Sequence, residues 1–126
     1  DMTADILVAD QDATLRTLLE TSLIRAGHNV RLAENGPDTL ELIRNEMFDL
    51  AIIEFSLPGL SALDILSRLK KSGDQIPHTL ILSSGGTMDS IRACVEAGAK
   101  DFVVKPFKLP LLLERIGVVL KKVRTA

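Results

Sequence analysis

Five short runs of branched apolar residues, at 6–9, 29–33, 50–53, 79–82 and 102–104, alternate along the whole chain with longer stretches of helical period. This alternation predicts a βα repeat around a parallel sheet. Ile6-Leu7-Val8 and Ala51-Ile52-Ile53 are continuously apolar, as strands covered on both faces should be. Asn29-Val30-Arg31-Leu32 alternates instead, which predicts an edge strand with one wet face.

The stretches between the runs read as helices. Leu15, Leu18, Leu19 and Leu23 recur at helical spacing and stop at Gly27, a left-handed helix end. Asn35-Gly36-Pro37 offers a cap and a proline in the first turn, with Leu40, Ile43 and Met47 as the buried stripe. Ser61 is predicted to cap a third helix that buries Leu63, Leu66 and Leu69 and ends at Ser72-Gly73. A fourth carries Ile91, Val95 and Ala97-Gly98 after a Ser83-Ser84-Gly85-Gly86-Thr87 loop. The fifth starts around Pro110 and turns Leu112 or Leu113, Ile116 and Leu120 inward. The predicted topology is (βα)5 in the α/β class, with no linker or internal repeat, and residues 1–126 form one domain.

Composition narrows this picture. A chain of 126 residues can hold itself with a single core. Hydrophobic residues make up 46% but aromatics only 3%, with no Trp or Tyr, so the core must be Leu, Ile, Val and Ala. That suits α/β layers better than an aromatic-rich barrel or a base-stacking platform. Fifteen basic and seventeen acidic residues give a net charge of −2. The short Lys121, Lys122, Arg124 cluster complements the dipole of the last helix, so nucleic acid is not an expected partner of this domain. One cysteine, Cys94, excludes a disulfide scaffold and a zinc finger and suggests a reducing compartment. Cys94, His28 and His78 have no partner at useful spacing and read as packing or solvated residues. No apolar run approaches the ~20 residues of a membrane span, and the start lacks the features of a signal peptide. The expectation is a soluble cytoplasmic protein with no membrane partner.

In an open parallel sheet, ligands bind beyond the carboxyl ends of the strands, near the point where strand order reverses. The residues there are Asp10, Gln11 and Asp12 after the first strand, Glu54 after the third, Ser83 and Ser84 after the fourth, and Lys105-Pro106 after the fifth. Neighbouring carboxylates favour a hard divalent cation such as Mg²⁺, and a lysine with a hydroxyl suits phosphoryl oxygens. The set points to a phosphoryl or phosphate-mimic site. No glycine-rich fingerprint follows the first strand, and Gly85-Gly86 lacks the spacing and lysine of a P-loop, so a nucleotide-binding enzyme is disfavoured.

At these residues the chain resembles the receiver domains of two-component response regulators, and the likeness runs through nearly its whole length. Ile6-Leu7-Val8-Ala9-Asp10 resembles the first strand and first acidic position; residues 48–59, FDLAIIEFSLPG, resemble the third strand, the phosphoacceptor position and its Pro-Gly loop. Ser83-Ser84 resembles the switch hydroxyl and its small neighbour, and residues 97–107, AGAKDFVVKPF, resemble the final signature with its aromatic and lysine. The resemblance implies a flavodoxin-like receiver fold, a doubly wound parallel five-stranded sheet. It also implies Glu54 at the phosphoacceptor position, Lys105 and Ser83 as its helpers, and Ser83 and Phe102 as switch residues. A Mg²⁺ ion, a cis Lys105-Pro106 bond and a histidine kinase as partner follow from the same likeness.

Two departures stand inside it. Glu54 replaces the nucleophilic aspartate, and its extra methylene displaces the oxygens by more than an ångström; misplacement on that scale costs about a hundredfold in a positioned reaction. Gln11 replaces a metal-ligating acid, so any Mg²⁺ site built on Asp10 and Glu54 is weak. Asp12 is better placed to cap the first helix than to make good the loss. Glu54 can instead pair with Lys105 and Ser83 and mimic part of the phosphorylated state, with −1 charge and two oxygens against about −1.5 to −2 and three.

The leading expectation is therefore an atypical receiver, not an enzyme, that acts by protein contact with reduced or absent phosphorylation. Its partners would be a histidine kinase or other signalling protein, and an output domain, met through the face of helix four, strand five and helix five. Asp101 and Arg115 lie on that face, although a surface pair of this kind does not by itself establish a homodimer. The alternatives are a conventional phosphoacceptor that uses Glu54 or Asp10, and a flavodoxin-like small-molecule binder. The domain is either a single-domain regulator or the amino-terminal module of a longer chain.

Overall fold

The computed structural model describes residues 3–85 and 87–125. Gly86, and the side chain of Arg124 in the basic cluster, lie outside the described residues. Elements alternate as predicted: β1 Asp5–Ala9, α1 Ala13–Arg25, β2 Asn29–Ala33, α2 Gly36–Asn45, β3 Leu50–Glu54, α3 Ala62–Ser72, β4 His78–Ser83, α4 Met88–Glu96, β5 Asp101–Val104 and α5 Leu109–Thr125. The strands form one parallel sheet in the order β2-β1-β3-β4-β5. Chain order therefore reverses between β1 and β3, which sets the crevice at their carboxyl ends.

Strand pleating divides the core in two. Leu7, Ala9, Ala51, Ile53 and Ile81 pack with the buried residues of α2, α3 and α4 on one face. Ile6, Val8, Leu50, Ile52, Leu80 and Leu82 pack with those of α1 and α5 on the other. The period of two along each strand sends successive side chains to opposite layers, so the middle stretches of the central strands are apolar on both faces. The edge strand β2 is mostly exposed, in keeping with its alternation.

Side-chain oxygens close the helix starts. Asp12 accepts from the Thr14 and Leu15 amides, Asn35 from Asp38, Ser61 from Asp64 and Thr87 from Ser90. Gly27, at φ 97°, follows α1 as the predicted stop, and Gly73 ends α3. A side chain at Gly36 would place its Cβ inside the backbone of Leu60, while the Gly36 amide donates to the Pro58 carbonyl at 2.8 Å. Glycine here lets the loop after β3 lie against the start of α2, which fixes the chain just beyond Glu54.

Three residues of the expected helical stripes face water. Met47 is 72% exposed because α2 ends at Asn45, two residues short of it. Leu18 and Val95 are exposed because the buried faces of their helices run through Leu19 and Leu23, and through Cys94. In α5 it is Leu112, not Leu113, that is fully buried. No helix among the described residues is long and apolar enough to cross a membrane.

Candidate functional site

Sheet register builds the site. Ala9 pairs with Ile53, so Asp10 and Glu54 emerge side by side from adjacent strands. Glu54 pairs with Leu82 and Ser83 with Val104, which sets Ser83 one residue beyond Glu54's level and Lys105 one beyond that. Bonds from the Phe55 amide to the Leu82 carbonyl (2.8 Å) and from the Lys105 amide to the Ser83 carbonyl (2.7 Å) continue the ladder past the strand ends.

Asp10, Glu54 and Ser83 are 0%, 3% and 4% exposed, each a polar group that must find partners to be buried. The Lys105 ammonium donates to Asp10 Oδ2 and to Glu54 Oε1, both at 2.7 Å. Asp10 Oδ1 accepts from the Asp12 amide at 2.9 Å, and Glu54 Oε2 from the Ser56 amide at 3.0 Å. Every one of the four carboxylate oxygens thus holds a donor. Burial alone would lower the pKa of Lys105, but the hydrogen bonds and charges of Asp10 and Glu54 outweigh it and hold the ammonium above the usual lysine value. Lysine therefore stays charged at neutral pH.

Of the residues read from the sequence, Asp10, Glu54 and Lys105 meet directly. Ser83 accepts a long 3.5 Å contact from the Gly85 amide and, by strand alternation, belongs to the α2, α3 and α4 side, as Ile81 does. Phe102 is half-buried against that same layer. Gln11 and Asp12 are exposed, and Asp12 is occupied as the cap of α1. The Lys105-Pro106 bond is cis. Cys94 is buried, which pushes its thiol pKa up and leaves it protonated at neutral pH.

Arg16 was not legible as a site residue. Its guanidinium donates to the Asp10 carbonyl at 2.6 Å and reaches Glu34 at 3.2 Å, with a side chain only 14% exposed. The available signal was its position three residues before Leu19 and seven before Leu23, on the buried stripe, where a cation needs a partner. Both histidines also have partners that the spacing did not suggest. His28 Nδ1 accepts from the Ala4 amide at 3.1 Å, and His78 Nε2 lies 3.3 Å from Asp101. Asp101 also meets Arg115 at 3.2 Å, within this chain.

The residues present do not fit a divalent cation. Mg²⁺ takes hard oxygen ligands in near-ideal octahedral geometry. Here both buried carboxylates are bound to an ammonium, the neighbouring position is the neutral, exposed Gln11, and no group of three His, Cys, Asp or Glu among the described residues could hold a metal.

Comparison with known proteins identifies the family. The family profile of the response regulator receiver domain matches residues 6–117. The transcriptional regulatory protein AfsQ1 of Streptomyces coelicolor is 38% identical over 117 residues, covering 93% of this chain and 51% of that protein. The response regulator MprA of a Mycobacterium species is 35% identical over 121 residues, covering 96% and 52%. The chain spans about half the length of these curated relatives. Among solved structures, a CheY-like receiver domain protein from Methanospirillum hungatei superposes with a TM-score of 0.86 at 24% identity, covering 96% of each chain. The receiver domain of Francisella response regulator 1452 gives 0.84 at 25%, covering 94% of this chain and 98% of that one. An acidic crevice at the β1/β3 reversal, a lysine delivered from the end of β5 and a receiver profile over residues 6–117 converge on one conclusion: the chain belongs to the response regulator receiver domain family of two-component signalling.

Proposed function

We propose that this receiver is an atypical one, which signals by protein contact and takes up a phosphoryl group slowly or not at all. The observation that carries this reading is the Lys105 ammonium, 2.7 Å from both Glu54 and Asp10. The cation that would neutralise an incoming phosphoryl group is already engaged, and the carboxylate at the acceptor position is one methylene too long. Glu54 then imitates part of the phosphorylated state by holding a negative charge against Lys105, which biases the domain toward one conformation without locking it.

Readout would pass through Ser83 and Phe102 to the surface of α4, β5 and α5. Exposed Met88 and Val95 on α4, Val104 on β5, and Leu111 and Val118 on α5 support that surface as the docking face for an output domain or signalling partner. By likeness to AfsQ1, the output served is transcriptional regulation.

Incubation with acetyl phosphate or phosphoramidate and Mg²⁺, followed by intact mass measurement, tests the reading. The expected result is no adduct on the wild-type chain and partial phosphorylation of Glu54→Asp. A stoichiometric adduct on the wild type would instead establish a conventional phosphoacceptor.

A further inference from the structure

The buried carboxylates raise a separate question, because a pair of acids at a strand-end crevice is a natural seat for a divalent cation, yet these do not fit one. From the geometry we infer that Lys105 is the resident cation of this crevice: its ammonium occupies the position between Asp10 and Glu54 that a divalent ion would need, and excludes it. This rests on the atypical reading above but goes beyond it, since slow phosphorylation requires only a misplaced acceptor.

Three observations carry the inference. Nζ lies 2.7 Å from one oxygen of each carboxylate, so a single charge bridges two strands. The remaining two oxygens are held by the Asp12 and Ser56 amides, which fix the direction of both carboxylates. The Lys105 backbone is held as well, since its amide donates to the Ser83 carbonyl at 2.7 Å. The ammonium is therefore tethered at both ends of its side chain. A divalent ion entering between the carboxylates would have to break both of its ion pairs or accept a positive neighbour at close range, and Gln11 supplies no charge to offset either.

The longer side chain of Glu54 is central to this arrangement. Its carboxylate shares one ammonium with Asp10. On this reading Glu54 has two effects: its length misplaces the nucleophile, and its carboxylate joins Asp10 in holding the lysine in the metal's place. Gln11 then stands in a site that has no ion to ligate.

Manganese serves as the probe. Mn²⁺ is titrated into the ¹⁵N-labelled chain, and paramagnetic broadening that is strongest at the Asp12 and Ser56 amide signals reports occupancy of this crevice. The wild type should show no selective broadening below millimolar Mn²⁺. Lys105→Met, and Lys105→Gln, which keeps two N–H donors but no charge, should each bind at least about tenfold more tightly, a change of about 1.4 kcal/mol. Gln11→Asp with Lys105 intact should gain less than either. Submillimolar binding by the wild type would overturn the inference, as would folded Lys105 variants that bind no better than wild type. Should both variants fail to fold, the wild-type titration still decides. The phosphorylation reading fails separately, by mass, so a wild type that binds Mn²⁺ yet takes no phosphoryl group would remove this inference and leave that reading standing.

Discussion

The two ends of the sheet both carry acids, and they treat them in opposite ways. At the amino end, Asp5, Asp49 and Asp101 lie at or near the surface. Asp49 accepts from the Asp5 amide at 2.8 Å, Asp5 from Asn29 at 3.0 Å, and Asp101 is shared by His78 and Arg115. At the carboxyl end, Asp10 and Glu54 are buried and tied to one lysine. Water screens the first set, so its pairings matter little for stability. The second set has no such screen, and each charge depends on the other two. The difference shows where this fold is rigid by electrostatic necessity, and it is the end where chemistry is expected.

Removing the lysine should break the comparison most visibly. Lys105→Met leaves two carboxylates buried without their cation, and is expected to destabilise the chain by about 3–5 kcal/mol in denaturant unfolding. Adding Asp10→Asn and Glu54→Gln to it should recover much of the loss, because the burial of uncompensated charge is then gone. A loss below about 1 kcal/mol would mean that the carboxyl end is as well solvated as the amino end.

Arg16→Ala comes next. It strips the Asp10 carbonyl of its guanidinium donor, and the expected loss is about 1–3 kcal/mol by the same measurement. A smaller contrast lies in pH. Lys105 is held above its ordinary pKa when folded, so its stabilisation is complete below the unfolded lysine value of about 10.4 and disappears as pH rises through the folded value. The wild type should lose stability in this alkaline window by a margin that Lys105→Met lacks. The smallest effect belongs to the amino end, where Asp101→Asn, which weakens the pairs to Arg115 and His78, should cost about 0–1 kcal/mol.

Much of this was readable in the chain because two periods did the work. Continuous apolar runs named the central strands, and the residues one step beyond them, Asp10, Glu54, Ser83 and Lys105, named the crevice. Burial along the helices was less legible. Met47 failed because a stripe of period 3.6 says nothing about where a helix stops, and Leu18 and Val95 failed because an apolar residue on the flank of a stripe is as easily wet as dry. Long-range polar contacts were not legible at all. His78 and Asp101 lie 23 residues apart, and only the β4 and β5 register brings them together. Arg16 could have been flagged, since a cation on a leucine stripe calls for an acceptor, but nothing in the sequence named the Asp10 carbonyl as that acceptor.

If the carboxyl end is held as described, the Lys105 ammonium stays fixed between Asp10 and Glu54 when the domain is challenged with the usual reagents of phosphoryl transfer. Side-chain NMR of chain labelled with ¹⁵N-lysine tests this directly, with the Lys105 ammonium signal followed before and after addition of Mg²⁺ and acetyl phosphate. One signal is expected, slow to exchange with water and unmoved by either reagent. A signal that shifts, broadens or exchanges freely once Mg²⁺ is added would contradict it.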